Sequence, residues 1–296
     1  MHPQPTPQPL PNLVYTVAFD APESETYRFL GKMLASSLVR TYFSGDIVVF
    51  RNSPAPLFLV ERKGLHEVYL DTPQVVGQAG AEAAWCWKYK AARLIEHPEQ
   101  YDKILFLDCD CLALRNLDEL LEGDWDIRYQ PERGTRMEGR KYNAFLTEEE
   151  MKLGSRREGV NSGTLAVRGC YFHEVMRRWQ EIDEGETQRD SGFRDQASWN
   201  ALLLREEARE LAGAQEGIND ACSGPGLLPP LKIEPFPAGE VQFPGYLDPA
   251  YQSYSKAALT HNILPDTKEK IEFTFGLYMR TFFCDPTGLF FSMLET

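Results

Sequence analysis

Two aspartates separated by one residue, Asp108 and Asp110, follow directly on the apolar run KILFL at positions 103–107. Such a run is typical of a buried strand, and on an extended chain residues two apart point to the same side. The two carboxylates are therefore expected to converge, while Cys109 and Cys111 face the opposite side. Carboxylates this close repel each other, and a divalent cation with oxygen ligands relieves the repulsion. The pattern predicts a metal site; the alternative is a strand end whose aspartates bond to turn amides.

The segments on either side of this motif alternate between strand and helix patterns. Short apolar runs predict strands at LVYTVAF, DIVVF, KILFL, IRYQ and VNSGTLAV. Helices are predicted from Tyr27 to Thr41, over AGAEAAWCWKYKAARLIEH before Pro98, from Phe172 to Ile182 and from Asp195 onward. This alternation predicts an α/β fold with a mostly parallel central sheet flanked by helices, in which ligands bind at the carboxyl ends of the strands.

Composition and charge limit the classes of function. A net charge of −13 with scattered basic residues argues against a nucleic-acid surface, which needs clustered Lys and Arg. No apolar run approaches the roughly 18–20 residues that cross a bilayer, so no membrane span is predicted. The 6 cysteines form no CxxC pair and the N-terminus has no signal-peptide pattern, so we expect reduced thiols and a cytoplasmic location.

Composition also divides the chain into parts. Residues 1–12 are rich in proline and glutamine and predict a disordered lead-in. Residues 13–285 predict a single domain, and residues 286–296 a C-terminal tail. Within the domain, the polar stretch at 130–159 is long enough to predict a lid or an ordered insertion rather than a plain connection.

The segment YDKILFLDCDCLALRNLDELL resembles the D-x-D segment of glycosyltransferases with the GT-A fold, in the retaining families 8 (the glycogenin group) and 77. Three further segments, VNSGTLAV, RDQASWNALL and LTHNILPDTKEKIEFTFGLY, come in the family's order. The resemblance covers Leu13 to Cys284, and separated motifs in the right order are more specific than one. It implies transfer of a sugar from a nucleoside diphosphate donor, expected to be a uridine diphosphate (UDP) sugar, to an acceptor hydroxyl.

The same resemblance implies a metal site on the two aspartates. Asp108 and Asp110 would hold Mn²⁺ or Mg²⁺ on the diphosphate of the nucleotide sugar, where the metal stabilises the charge of the leaving group. His261 matches the histidine that completes the metal shell in the family, and an imidazole ligand favours manganese. A hydrogen-bonded loop histidine is the alternative.

Donor-binding residues follow from the resemblance as well. Lys88 matches a basic residue that reaches the donor, although an ordinary basic helix face would also explain it. Lys268 resembles the lysine that contacts the diphosphate; Lys270 competes for this role, because the glycine and the proline–tryptophan pair of family 8 are missing from LPDTKEK. Thr16 and Ala18 match positions that line the nucleotide, and small or β-branched residues also suit a central strand.

The reacting sugar is expected near two further segments. Asn161 resembles a residue that contacts the donor sugar, although Asn-Ser-Gly also suits a turn. Asp195 and Gln196 resemble the pair beneath the anomeric carbon, and a helix N-cap would equally explain Asp195. Retention of configuration requires either a carboxylate nucleophile, which Asp195 would offer, or a front-side attack stabilised by an amide or carboxylate. The sequence leaves both routes open.

The acceptor is unknown, and so is the sugar. Acceptor sites are built from variable loops, which points to residues 130–159 and to NDACSGPGLLPP at 219–230. Tyr142, Phe145 and Tyr246 are aromatic candidates for stacking on a sugar ring or for packing.

The sequence also allows two alternative functions. A phosphohydrolase of the haloacid dehalogenase type also places D-x-D after an apolar strand, but that motif normally opens the domain, whereas here about a third of the chain precedes it. A catalytically silent GT-A protein would bind the nucleotide sugar through a metal without turning it over.

Overall fold

The structure is a computed structural model that describes residues 9–21, 24–59, 62–72, 77–187, 193–216, 229–242, 257–263 and 267–283. Residues 1–8 of the predicted lead-in and all of the predicted tail at 286–296 lie outside the described residues. So do Tyr246 and most of the segment at 219–230.

The central sheet has seven strands and is mostly parallel. The described residues form ten strands in two sheets; in chain order these are β1 (Leu13–Ala18), β2 (Asp46–Arg51), β3 (Leu65–Tyr69), β4 (Lys103–Leu107), β5 (Cys111–Ala113), β6 (Ile127–Glu132), β7 (Gly159–Arg168), β8 (Ile233–Pro235), β9 (Val241–Gln242) and β10 (Leu259–His261). The sheet order is β3-β2-β1-β4-β7-β6-β8. Strand β7 is antiparallel to β4 and β6, and the other neighbours are parallel. The predicted α/β fold is confirmed; β3 was not predicted.

Helices cover both faces of this sheet. They are α1 (Thr26–Arg40), α2 (Gly77–Ala92), α3 (Asp118–Leu121), α4 (Glu148–Gly154), α5 (Phe172–Glu184), α6 (Arg194–Glu216) and α7 (Thr267–Phe283). Successive residues of β1 enter different cores: Tyr15 shares one with Trp179 and Trp199 of α5 and α6, whereas Val14 shares the other with Leu34 of α1. A sheet buried on both faces needs such apolar strands. None of the helices described is long and apolar enough to cross a membrane.

The stretch at 130–159 is an ordered insertion. Thr147 begins α4 with a capping box, in which its hydroxyl accepts from the N–H of Glu150 and the Glu150 carboxylate accepts from the N–H of Thr147. Tyr142 and Phe145 are buried and share a core cluster with Ala197 and other residues of α6. The two aromatic side chains are therefore part of the packing that holds the insertion on α6.

A turn after β4 leads the chain from the central sheet into a small second sheet. Strands β5, β10 and β9 form that sheet, and β10 is antiparallel to β5 with His261 opposite Cys111. The N–H of Cys111 donates to the carbonyl of Asp108 over 2.9 Å, so the chain turns here instead of staying extended. The prediction that Cys111 faces away from the aspartates was wrong: its sulfur lies within 4.8 Å of ligand atoms of Asp110 and His261.

Candidate functional site

Asp108, Asp110 and His261 meet at the carboxyl end of β4. His261 Nε2 lies 3.2 Å from Asp110 Oδ1 and 3.5 Å from Asp108 Oδ2. The imidazole is 2% exposed and comes from β10, which the second sheet places beside the turn that carries both aspartates. The carboxylates converge because the chain turns after Asp108, and not because side chains alternate along an extended strand.

The spacing around His261 suits a divalent cation. Adjacent ligands that each lie about 2.1 Å from an octahedral cation are about 3 Å apart, close to the distances from His261 Nε2 to Asp110 and Asp108. The ligand atoms that all lie within 4.8 Å of one another belong to Asp110, Cys111 and His261. Gly163 of β7 leaves room around these atoms, because a Cβ on it would lie 2.2 Å from both Asp108 Oδ2 and His261 Cε1. Burial raises the pKa of the Cys111 thiol, so this neighbour stays protonated and is a weaker ligand than the carboxylates.

The charges of the site are strongly coupled. Burial alone would lower the pKa of His261, but the carboxylates of Asp110 and Asp108 outweigh it and raise this pKa to about 9. Burial alone would raise the pKa of Asp108, yet Lys88 and His261 lower it. The pKa of Asp110 is likewise lowered, by His261 and Lys270, against the effect of burial. Without a bound metal, these shifts favour ionised carboxylates and a protonated imidazole at neutral pH, and a cation that binds here would displace the imidazole proton.

Lys88 connects the metal-ligand candidates to α6. Its ammonium lies 3.1 Å from Asp108 Oδ1 and 2.9 Å from Asp195 Oδ2. It also donates to Ser162 Oγ over 3.3 Å, and Ser162 Oγ donates to Asp195 Oδ2 over 2.8 Å. Burial alone would lower the pKa of Lys88, but the two carboxylates raise it above its usual value. The lysine is thus a buried cation inside the site, and not part of a solvated basic face.

The two lysines that the sequence left in competition lie in different places. Lys270 Nζ is 2.6 Å from Asp110 Oδ2, and the carboxylate keeps the pKa of this lysine high, at about 12, although burial opposes it. The side chain of Lys268 is 83% exposed and lies 3.7 Å from Glu272. The structure therefore brings Lys270 to the aspartates and places Lys268, the residue chosen from the sequence, at the surface.

A network of amide side chains extends from β7 to α6. Asn161 Oδ1 accepts from the N–H of Gly163 over 2.7 Å, and Asn161 Nδ2 lies 3.5 Å from Gln196 Oε1. Gln196 Nε2 donates to Glu132 Oε2 over 3.0 Å, and Lys141 donates to the same carboxylate, 2.7 Å from Oε1. The structure thus brings Asn161 and Gln196 together beside Asp195. A role of Asp195 as a helix N-cap would not by itself require this arrangement.

Glu132 was missed by the sequence analysis. It ends β6, which runs parallel to β4 because both strands are antiparallel to β7. The carboxyl ends of strands that run in the same direction meet at one edge of a sheet, so Glu132 lies at the same edge as Asp108. Finding Glu132 would have required knowing that β7 runs antiparallel between β4 and β6, which no local sequence pattern indicates.

The predicted nucleotide positions lie on β1. Thr16 and Ala18 are each 1% exposed, and Ala18 Cβ would be only 2.8 Å from a Cβ on Gly31 of α1. Ala18 therefore serves close packing between strand and helix. Asp20 accepts from the N–H groups of Tyr27 and Arg28 over 2.7 and 3.0 Å and so caps the start of α1.

Comparison with solved structures finds a similar fold. The apo structure of the bifunctional glycosyltransferase WbbM matches 97% of this chain with a TM-score of 0.57 and 14% sequence identity. The chain spans about half of that protein, 51% of its length. No protein-family model matches the chain, and no curated protein matches it either. At this identity the likeness concerns the fold, so the chain has a fold found in a glycosyltransferase.

Proposed function

We propose that this protein is a metal-dependent glycosyltransferase that moves a sugar from a UDP-sugar donor to an acceptor hydroxyl with retention of configuration. The observation that carries the proposal is the convergence of two aspartates, a histidine and two lysines at the carboxyl end of β4, in a fold that a glycosyltransferase shares. The resemblance of the sequence to families 8 and 77 supports the same function.

The metal site would consist of Asp108, Asp110 and His261. A bound Mn²⁺ or Mg²⁺ would supply Lewis-acid stabilisation for the negative charge that develops on the diphosphate. Lys270 and Lys88 already hold positive charge next to the two aspartates, at 2.6 and 3.1 Å. Their ammonium groups are therefore in position to attract the diphosphate and to stabilise it as it leaves.

The sugar would lie over the side chains at the start of α6. Asp195 is 6% exposed, and Lys88 and Ser162 both engage its Oδ2. A carboxylate held in this way is a poorer nucleophile and a well-fixed anion, which favours the front-side route over a covalent intermediate. Gln196 is oriented by Glu132 and can present its amide to a positively charged anomeric centre.

Calorimetric titration of UDP, with and without Mn²⁺, tests the donor site. We expect UDP to bind only with Mn²⁺, and Asp110→Ala to abolish this binding. Asp124→Ala serves as the control, because Asp124 pairs with Arg168 at the surface and its side chain is 87% exposed. Binding that depends on neither Mn²⁺ nor Asp110 would refute the proposed site.

Release of UDP from UDP-sugars then tests catalysis. Slow Mn²⁺-dependent hydrolysis by the purified protein, lost in Gln196→Ala and Asp195→Ala, is the expected result. Mn²⁺-dependent binding with no release from any of UDP-glucose, UDP-galactose, UDP-xylose or UDP-N-acetylglucosamine would instead identify a nucleotide-sugar-binding protein without transferase activity.

A further inference from the structure

An aromatic pair lies next to the side chains proposed to hold the sugar. The rings of Trp85 and Phe193 stack with centroids 6.1 Å apart and planes only 5° apart. Phe193 is 47% exposed and Trp85 is half-buried, so the pair is accessible from solvent. Two parallel rings that solvent can reach offer a flat apolar surface beside a polar site.

The pair is attached to the same helices as the site. Trp85 precedes Lys88 by three residues on α2, which places both on one helix face. Phe193 precedes Gln196 by three residues, and its carbonyl accepts from the N–H of Ala197 over 2.9 Å in the first turn of α6. Three residues along a helix rise about 4.5 Å, which is close to the width of one pyranose ring.

Side chains of the insertion join the pair to the site. Lys141 Nζ lies 5.3 Å from the centre of the Phe193 ring and 2.7 Å from Glu132 Oε1. Glu132 in turn accepts from Gln196. The charge of Lys141 is therefore paired with Glu132, and Glu132, Lys141 and Gln196 form a polar edge beside the Phe193 ring.

We propose that Trp85 and Phe193 form the acceptor platform of the transferase, and that the acceptor is a neutral carbohydrate; this inference rests on the proposed function. A pyranose ring has a face of C–H bonds and a rim of hydroxyls. The C–H face suits the electron-rich face of an aromatic ring, and the hydroxyls suit Glu132, Lys141 and Gln196 at its edge. An anionic acceptor would meet the Glu132 carboxylate here, and it would have to compete with that carboxylate for Lys141.

Saturation-transfer NMR with simple neutral sugars tests the platform. The probes are methyl α-glucoside, methyl β-galactoside and methyl α-mannoside, each added with UDP and Mn²⁺, and glucose 6-phosphate serves as the anionic comparison. We expect at least one neutral glycoside to receive saturation, and Phe193→Ala and Trp85→Ala to reduce this signal by about fivefold or more, since each removes one stacking ring. Phe193→Tyr and Trp85→Phe keep an aromatic ring and are expected to retain the signal.

Phe283→Ala is the matched control, because Phe283 is 39% exposed and also lies against a cation, Arg40, 4.3 Å from its ring centre. It should leave the sugar signal unchanged. No signal from any neutral glycoside, an equal signal in Phe193→Ala, or a stronger signal from the phosphorylated sugar would overturn the inference. The uridine signals in the same samples report donor binding separately. Absence of UDP binding in the parent protein would therefore refute the proposed function, whereas UDP binding without a glycoside signal would refute the platform.

Discussion

Lys270 Nζ lies 2.6 Å from Asp110 Oδ2, although 160 residues separate the two in the chain. The ion pair is largely buried, with 16% of the lysine side chain and 9% of the aspartate side chain exposed. It attaches the first turn of α7 to the turn that follows β4. The C-terminal helix therefore contributes directly to the candidate metal and diphosphate site.

Replacing this lysine is expected to weaken donor binding. Lys270→Gln should reduce the affinity for UDP in the presence of Mn²⁺ by about tenfold or more, because a charge-assisted hydrogen bond contributes about 1.5–3 kcal/mol. Lys268→Gln should change the affinity by less than about twofold, since Lys268 lies at the surface. Calorimetry on both variants decides between the lysines, and an equal loss in the two would contradict the placement of Lys270.

A methyl group on Gly163 is expected to disrupt the site. Gly163→Ala would place its Cβ 2.2 Å from Asp108 Oδ2 and from His261 Cε1, so these side chains must move apart. We expect a loss of about 1–3 kcal/mol in the free energy of unfolding from overpacking, and a loss of Mn²⁺-dependent UDP binding.

Gly276→Ala is the matched control for that substitution, because its Cβ would meet only Arg280 Nη2 at 3.8 Å. Alanine in the middle of α7 should leave UDP binding intact and stabilise the protein by up to about 1 kcal/mol. Urea denaturation and calorimetry measure both effects. Normal UDP binding by Gly163→Ala would show that donor binding does not require the close approach of β7 to Asp108 and His261.

Stability of the metal-free protein is expected to fall at alkaline pH. The pKa of His261 is about 9 in the folded protein, above its ordinary value of 6.5, because Asp110 and Asp108 outweigh burial. A raised folded-state pKa contributes stability that is fully present below about pH 6.5 and is lost as the pH rises through about 9. The loss is on the order of 3 kcal/mol.

Urea denaturation at several pH values between 6 and 9.5 in the presence of a chelator measures this loss. His261→Gln should remove most of the slope, since glutamine does not titrate. A slope in the variant as steep as in the parent protein would assign the effect to other groups.

Removing the cation between Asp108 and Asp195 is expected to be costly. Lys88→Gln should lower the free energy of unfolding by about 3 kcal/mol, because the buried Asp195 and the partly exposed Asp108 lose their shared partner. Lys90→Gln, two residues further along α2, should change it by less than about 1 kcal/mol. Chemical denaturation compares them; similar stabilities would mean that water or another cation replaces Lys88.

Local patterns in the sequence were sufficient for the main elements of the sheet. They also predicted that Asp108 and Asp110 converge, although a turn and not an extended strand brings them together. Strands β1, β2 and β4 could be predicted from their own apolar runs. Helix α5 could be predicted from its amphipathic pattern. The resemblance added His261, Lys88, Asn161 and Gln196, and the structure brings these four together with the aspartates or Asp195.

Features that depend on orientation could not be predicted in this way. Lys268 and Lys270 are two residues apart and point to different sides of a helix, so choosing between them required the rotation of α7 about its axis. The place of Glu132 depended on β7 running antiparallel between β4 and β6, which no local pattern indicates. The position of Cys111 could not be predicted either, because the chain turns at Asp108 and an apolar run does not show where its strand ends.

In the described part of the chain, the last strand of the central sheet is β8, which ends at Pro235, whereas His261 and Lys270 come from β10 and α7. Strand β10 has three residues and belongs to the small sheet, so few backbone hydrogen bonds hold it in place. Such a unit can open locally at a lower free energy than the whole domain. Hydrogen exchange of β10 amides should therefore be faster than that of β4 amides. A ligand that binds both Asp108 and His261 would stabilise the closed form of this unit. It would therefore slow hydrogen exchange of the β10 amides and leave the exchange rates of the central sheet unchanged.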